Sequence, residues 1–363
     1  MKDSNNVDRR AFIKLAGTTV GAAGLLGLES DADAAQAKQR PAPRPRSDKE
    51  KLAQLASNTW PLRGIFKSRP GAASNPRSEE MKKKYGEITM LDMPQFTKDT
   101  FPGVTHMDLF SGLFGDVTDD SMYQASPTGR GREFDPASAS GRRWLDTLVT
   151  RMAATGTKCQ HISNNAPRDL SELDVERRKA GIAVAKKWLD AGKIIGAKSM
   201  RVNSGGPRIA PAAVSAPNDY PKADELAQYI AACIESLKEL ADYGGKAGVK
   251  VTLENHWGLT ANPMNIRAIL DEVAHPFCEA SPDFCNWEHE YLLYHGLKAL
   301  APYAHTNVHA KYWNRWKDND IRRSVRIMTD AGFKGTFALE YEDGPWDGVE
   351  GSKYLYKEVL AAL

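Results

Sequence analysis

The chain has 363 residues, 41% hydrophobic and 26% charged, with 49 Lys and Arg against 46 Asp and Glu. All of the formal +3 lies in residues 1–47, which hold eight basic and five acidic side chains. The remainder is neutral and offers no electrostatic footprint for nucleic acid. The four cysteines (Cys159, Cys233, Cys278, Cys285) have no C-x-x-C spacing, so they read as mostly buried small apolar residues and not as a zinc site.

Residues 1–37 read as a targeting segment. Asp8-Arg9-Arg10-Ala11-Phe12-Ile13-Lys14 precedes a modest apolar run from Leu15 to Leu28, and Ala32-Asp33-Ala34 and Ala35-Gln36-Ala37 offer peptidase sites. Paired arginines before a weakly hydrophobic segment resemble a twin-arginine export signal, and the run is too short and glycine-rich to span a bilayer. The expectation is a periplasmic or extracellular protein with no stable membrane span; a disordered basic tail is the alternative. Residues 38–50 open with KQRPAPRPRS, a Pro/Arg-rich linker that builds no core. Residues 51–363, with no second linker, fit one large α/β domain.

From there strand-like and helix-like segments alternate. Candidate strands are KLAQLASNTW (51–60), VTHMDLF (104–110), KCQHISNN (158–165), AKSMRVNSGG (197–206), VKVTLEN (249–255), HPFCEASPDF (275–284), AHTNVHAKY (304–312) and KGTFALEYED (334–343). Between them, apolar residues at helical spacing predict helices over 141–155, 175–196, 225–248, 262–273, 290–303 and 319–332, with a closing helix over 351–363. Glycines at 156 and 196 stop the first two. The stretch 111–140 is long and turn-rich, a length expected of a functional loop or lid. Eight strands in strict alternation imply parallel pairing by right-handed crossovers and a single (β/α)8 TIM barrel. An open doubly wound sheet would want a GxGxxG after a strand, which the chain lacks.

Glu254 (VTLEN), Asp283 (ASPDF), His309 (NVHAKY) and Glu340 (FALEY) each fall at or near the end of a strand-like run. In a parallel barrel those ends open on one face, where three carboxylates beside an imidazole would repel one another unless a cation lies between them. Oxygen-rich ligation with one nitrogen suits Mn²⁺, Mg²⁺ or Co²⁺, with Zn²⁺ a further option. Taken singly, each carboxylate would be an ordinary solvated rim charge.

These motifs resemble the xylose isomerase-like TIM barrels, the superfamily of sugar isomerases and epimerases. The resemblance rests on ENH at Glu254, DFCN at Asp283, VHAKY at His309 and LEYED at Glu340; it is close over 196–343 and loose from about residue 50. It implies that the four residues are metal ligands and that Glu254 and Glu340 double as acid and base. A metal chelating a carbonyl oxygen and its neighbouring hydroxyl would favour the enediolate formed when the carbon-bound proton leaves. Arg315, six residues past His309, matches an arginine that several epimerases place on substrate oxygens. The chain departs from the pattern at Asn286, where 3-epimerases have a histidine, at Tyr312 in place of an Asp, and at Asp108 in place of a Glu.

Other residues expected at the same mouth are His256 beside Glu254, Arg201 on strand four, and His161 and Asn164 on strand three. With Asn286 and Arg315 they are candidate hydroxyl-binding groups, each otherwise a structural polar group. Trp257, Trp287, Trp313 and Trp316 cluster in the same loops and suit either a sugar face or a roof on the barrel. The expected function is a divalent-metal-dependent isomerase or epimerase of a keto-sugar, manganese being the first metal to test. The alternatives are a lyase or dehydratase on a keto-sugar or keto-glycoside, and a non-catalytic sugar-binding barrel. The expected partner is a small sugar, with a homo-oligomer left open.

Overall fold

A computed structural model of the chain describes residues 46–73, 75–126, 131–207, 223–256 and 258–363. The export segment, most of the linker and Trp257 lie outside the described residues. A compact unit runs from Ser47 to Leu363. It begins inside the expected linker because Ser47 and Glu50 form a reciprocal capping box that starts α1 (Asp48–Leu52).

Eight strands form one parallel sheet. In chain order they are β1 (Leu55–Asn58), β2 (His106–Phe110), β5 (Lys158–Ser163), β6 (Ser199–Val202), β7 (Lys250–Leu253), β8 (Cys278–Ala280), β9 (Asn307–Trp313) and β10 (Thr336–Asp343). Their spatial order is β8-β7-β6-β5-β2-β1-β10-β9. The two ends meet through the parallel bridges Ala280–Ala304 and Asp283–His309. There His309 N donates to Pro282 O at 3.0 Å and Phe284 N donates to His309 O at 3.1 Å. The sheet thus closes into the expected (β/α)8 barrel, joined at the position of two of the four motif residues.

Helices α2 (Pro76–Tyr85), α3 (Met93–Thr100), α4 (Ala139–Thr155), α5 (Val175–Ile195), α6 (Ala223–Ala247), α7 (Pro263–Val273), α8 (Leu292–Leu300), α9 (Ile321–Asp330) and α10 (Gly348–Ala362) accompany the strands. Local chemistry sets their ends. Asp174 starts α5 by accepting from Glu176 N and Arg177 N, and Gly196 ends it at φ 73°. Asn262, Asp320 and Asp347 cap α7, α9 and α10 in the same way. The segment between β2 and α4 contains a two-stranded antiparallel hairpin, β3 (Tyr123–Ala125) with β4 (Arg132–Phe134).

Alternate strand residues face opposite ways, which separates two environments. Ile162 packs against α5 and Val251 against α6, beneath glycines of those helices, and with Met107, Val308 and Leu339 they are fully buried. The barrel interior is polar. Asn307, His309 and Lys311 on β9 and Thr336 and Glu340 on β10 point inward, with Thr336 donating to Asn307 Oδ1 at 2.7 Å and Lys311 to Glu340 Oε1 at 2.8 Å.

Candidate metal centre

The four motif residues converge on one ring nitrogen. His309 Nδ1 lies 3.1 Å from Glu254 Oε2, 3.6 Å from Glu340 Oε2 and 3.9 Å from Asp283 Oδ2. All four side chains are buried, His309 and Asp283 completely. His309 Nδ1 and Asp283 Oδ2 have no hydrogen-bond partner. Two orphaned buried atoms aimed at one point, with two further carboxylates beside them, fit a cation.

Neighbouring side chains fix this arrangement. On the opposite edge of the His309 ring, Nε2 lies 2.8 Å from Asp108 Oδ2. Asp108 accepts further bonds from Ser163 Oγ at 2.7 Å and Asn307 Nδ2 at 3.1 Å, so it acts as an acceptor and Nε2 carries the proton. That assignment turns the Nδ1 lone pair toward the carboxylates, the carboxylate–histidine relay that commonly supports a metal-ligating imidazole. The orientation of Asp283 is set from the loop: Oδ1 accepts from Cys285 N at 2.6 Å and Asn286 N at 2.9 Å, which leaves Oδ2 for the centre.

Nitrogen donors hold both oxygens of Glu254 and one oxygen of Glu340. Glu254 Oε2 receives Arg201 Nη1 at 2.6 Å and Oε1 receives Asn286 Nδ2 at 2.8 Å. Glu340 Oε1 receives Lys311 Nζ, which also reaches Glu342 Oε2 at 3.0 Å and approaches Asp283 Oδ2 at 3.6 Å. Trp60 Nε1 secures Glu342 from the outside at 2.7 Å. Five buried or half-buried carboxylates (108, 254, 283, 340, 342) therefore face three permanent cations, Arg201, Lys311 and, 3.6 Å from Glu342, Arg63, a deficit that a divalent ion would offset.

The same crowding of charge shifts the ionisation of the cluster. Burial pushes Asp283 up to about 7, with the Glu340 and Glu254 charges adding to it against Lys311. Burial alone would raise the pKa of Glu254, yet Arg201 and His309 hold it well below the usual carboxylate range. Burial works against charge on His309 too, but Glu254, Glu340 and Asp108 raise it well above the ordinary imidazole value.

The remaining expected residues divide into two groups. Arg201 and Asn286 are committed to Glu254, and Arg201 also donates through Nη2 to Asn165 Oδ1 at 2.8 Å and through Nε to Asn164 O at 3.2 Å. His161 is fully buried on Ser199 at 2.8 Å, its ring 5.8 Å from that of His309. Burial lowers its pKa to about 4. His256 is half-buried, and burial, with Arg201, Lys311 and His309 nearby, lowers its pKa to about 3, so it is neutral at physiological pH.

Arg315 stands in the loop after β9 with its guanidinium 5.2 Å from the Trp313 ring and 4.4 Å from the Trp316 ring. Trp287 differs from the expectation of a sugar-stacking ring. It is 1% exposed and packs on Gly296 of α8, where a Cβ would fall 2.5 Å from the indole. Sequence reasoning assigned no role to Lys311, although its spacing two residues past His309 places it on the same face of β9. All four cysteines are free, and Cys278 alone is only half-buried.

Residues 124–363 match the family model described as xylose isomerase-like TIM barrel, and the chain belongs to that family. The apo crystal structure of the 3-keto-D-glucoside 4-epimerase YcjR from E. coli resembles it with a TM-score of 0.56 at 12% identity, covering 84% of this chain and 99% of that one. A xylose isomerase-like TIM barrel protein from Mycobacterium smegmatis in complex with magnesium gives 0.52 at 17% identity, with 86% and 98% covered. An L-ribulose 3-epimerase gives 0.51 at 13%, with 85% and 92% covered. At these identities the likeness is one of fold. No curated protein matches the sequence. Among the described residues no helix is long and apolar enough to cross a membrane.

Proposed function

We propose that the protein is a divalent-metal-dependent isomerase or epimerase that moves a proton next to the carbonyl of a keto-sugar. The observation that carries the reading is the convergence of Glu254, Asp283 and Glu340 on the unpartnered Nδ1 of His309. Solved structures of similar fold include enzymes named as epimerases of sugars and one protein bound to magnesium, which supports the same class. Glu254, Asp283, His309 and Glu340 would hold the ion. When bound, a divalent ion supplies electrophilic polarisation of the substrate carbonyl oxygen.

The chain's own residues supply the rest. Glu254 is kept ionised by Arg201 and fixed in rotation by Asn286, which suits a carboxylate that accepts the carbon-bound proton. Glu340, held through its other oxygen by Lys311, is placed to return a proton, to the opposite face of the same carbon or to the adjacent one. His256, neutral and half-buried, can hydrogen-bond a substrate hydroxyl in either sense. Arg315, braced between two indoles, is the cation available for a substrate oxygen at the rim.

Solvent-deuterium exchange tests this reading. At least one keto-sugar, free or glycosylated, incubated in D₂O with Mn²⁺-loaded protein should gain deuterium at the carbon beside the carbonyl, and a chelator should stop it. Absence of exchange on every keto-sugar tried, with metal bound, would remove the assignment in favour of a binding barrel. We also propose export by the twin-arginine route, on the strength of Arg9-Arg10 and the apolar run after them. Replacing both with lysine should trap the protein in the cytoplasm; unchanged fractionation would refute it.

A further inference from the structure

The segment between β2 and α4 builds a second space beside the candidate centre. With the loop Phe66–Arg69 it encloses a cavity of about 460 Å³, a volume typical of small-molecule sites. Phe66, Phe110, Phe134, Trp144 and Trp188 contribute rings to its wall. Two polar atoms in that wall are buried without partners, Glu133 Oε1 and Arg69 Nη2. The Arg69 guanidinium is braced 3.7 Å over the Tyr123 ring.

The chemistry of this wall selects a ligand class. A buried acceptor and a buried donor left unmatched carry an unrelieved desolvation cost, which vicinal hydroxyls would relieve by donating to one and accepting from the other. Apolar rings suit the C–H faces of a pyranose. The wall's charges are offset locally, Lys67 by Asp116, Arg69 (through Nη1) and Arg132 by Asp120 at 3.5 and 3.7 Å, and Arg168 by Glu133, which favours a neutral polyol over an anion.

The cavity adjoins the candidate centre through one residue. Asn165 lines it, accepts from Arg201 at 2.8 Å, and is held by Ser111 Oγ at 3.0 Å, while Arg201 bonds Glu254 directly. We infer that this cavity is a second subsite that takes the non-reacting ring of the substrate. The substrate class is then a keto-sugar carrying a further glycosyl unit, not a free monosaccharide. This rests on the isomerase reading above but concerns different residues.

The test is binding, read from tryptophan fluorescence because Trp144 and Trp188 line the cavity. D-fructose is compared with isomaltulose and turanose, ketoses bearing a glucosyl unit at different positions, on Mn²⁺-loaded full-length protein. At least one disaccharide should bind about ten-fold more tightly than D-fructose. Val117→Trp, which fills the space, and Glu133→Gln, which removes the charged acceptor, should each bring that ratio toward one, with circular dichroism confirming their fold. Equal affinity for fructose and both disaccharides in wild type, or a ratio unmoved by both variants, overturns the subsite. A retained ratio with no deuterium exchange on any ketose leaves the subsite standing and removes only the isomerase reading.

Discussion

The two halves of the barrel mouth are built by different means. On the side of β7 to β10, ionisable side chains sit on the strands or directly after them, every orientation is fixed by a second hydrogen bond, and the cluster is buried. On the side of β1 to β5, the wall comes from an insertion with its own hairpin, its polar groups are half-buried, and two of its atoms are unmatched. Strand-borne groups hold a geometry to within the tolerance chemistry needs, whereas loop-borne groups set what else fits. On the proposed reading, the reaction belongs to one half and the choice of substrate to the other.

If that division is right, the largest effect comes from the glutamate that lacks a cation on its inner oxygen. Glu340→Gln should lower the rate of proton exchange by about 10³-fold, the usual scale for losing a general acid or base, while the same protein still binds a keto-disaccharide in the cavity. Steady-state exchange rates and a fluorescence titration on one preparation check both halves at once. A comparable loss of disaccharide binding would blur the division.

Next in size is Lys311. Lys311→Met leaves Glu340, Glu342 and Asp283 without their shared cation, and breaking a buried ion pair from one side costs about 3–5 kcal/mol. Urea denaturation of metal-free protein should show that loss, and saturating Mn²⁺ should recover part of it, because the ion replaces the missing charge. Asp108→Asn acts one step further out. It keeps the shape but weakens the hold on His309 Nε2–H, and should reduce metal affinity by about 10–100-fold, measured by competition with a chromophoric chelator. The smallest effect belongs to neither half: Asp174→Ala removes the α5 cap for about 1 kcal/mol of stability, with metal affinity unchanged in the same chelator assay.

Much of the strand-borne half is legible in the sequence. Glu254, Asp283, His309 and Glu340 stood out because a charge at the end of an apolar run has no place in a core, and alternation alone determines which way it points. What the spacing could not reveal was which charges answer one another. Arg201, expected at the mouth, turns onto Glu254, and Asn286 does the same; both depend on pairing across strands distant in sequence. Trp287 sits in a loop of the sort that carries binding residues, yet a glycine in α8 opens a socket for it. The 111–140 segment announced itself only by its length, since a hairpin of three-residue strands leaves too short a period to recognise.

The central claim is that four strand-end side chains hold one divalent ion. It is tested most directly by plasma mass spectrometry on wild type and Glu254→Gln, prepared and loaded side by side. The account predicts about one Mn, Mg, Co or Zn per wild-type chain and a much weakened or absent ion in the variant. No bound metal in either protein after loading, with both folded, would contradict it.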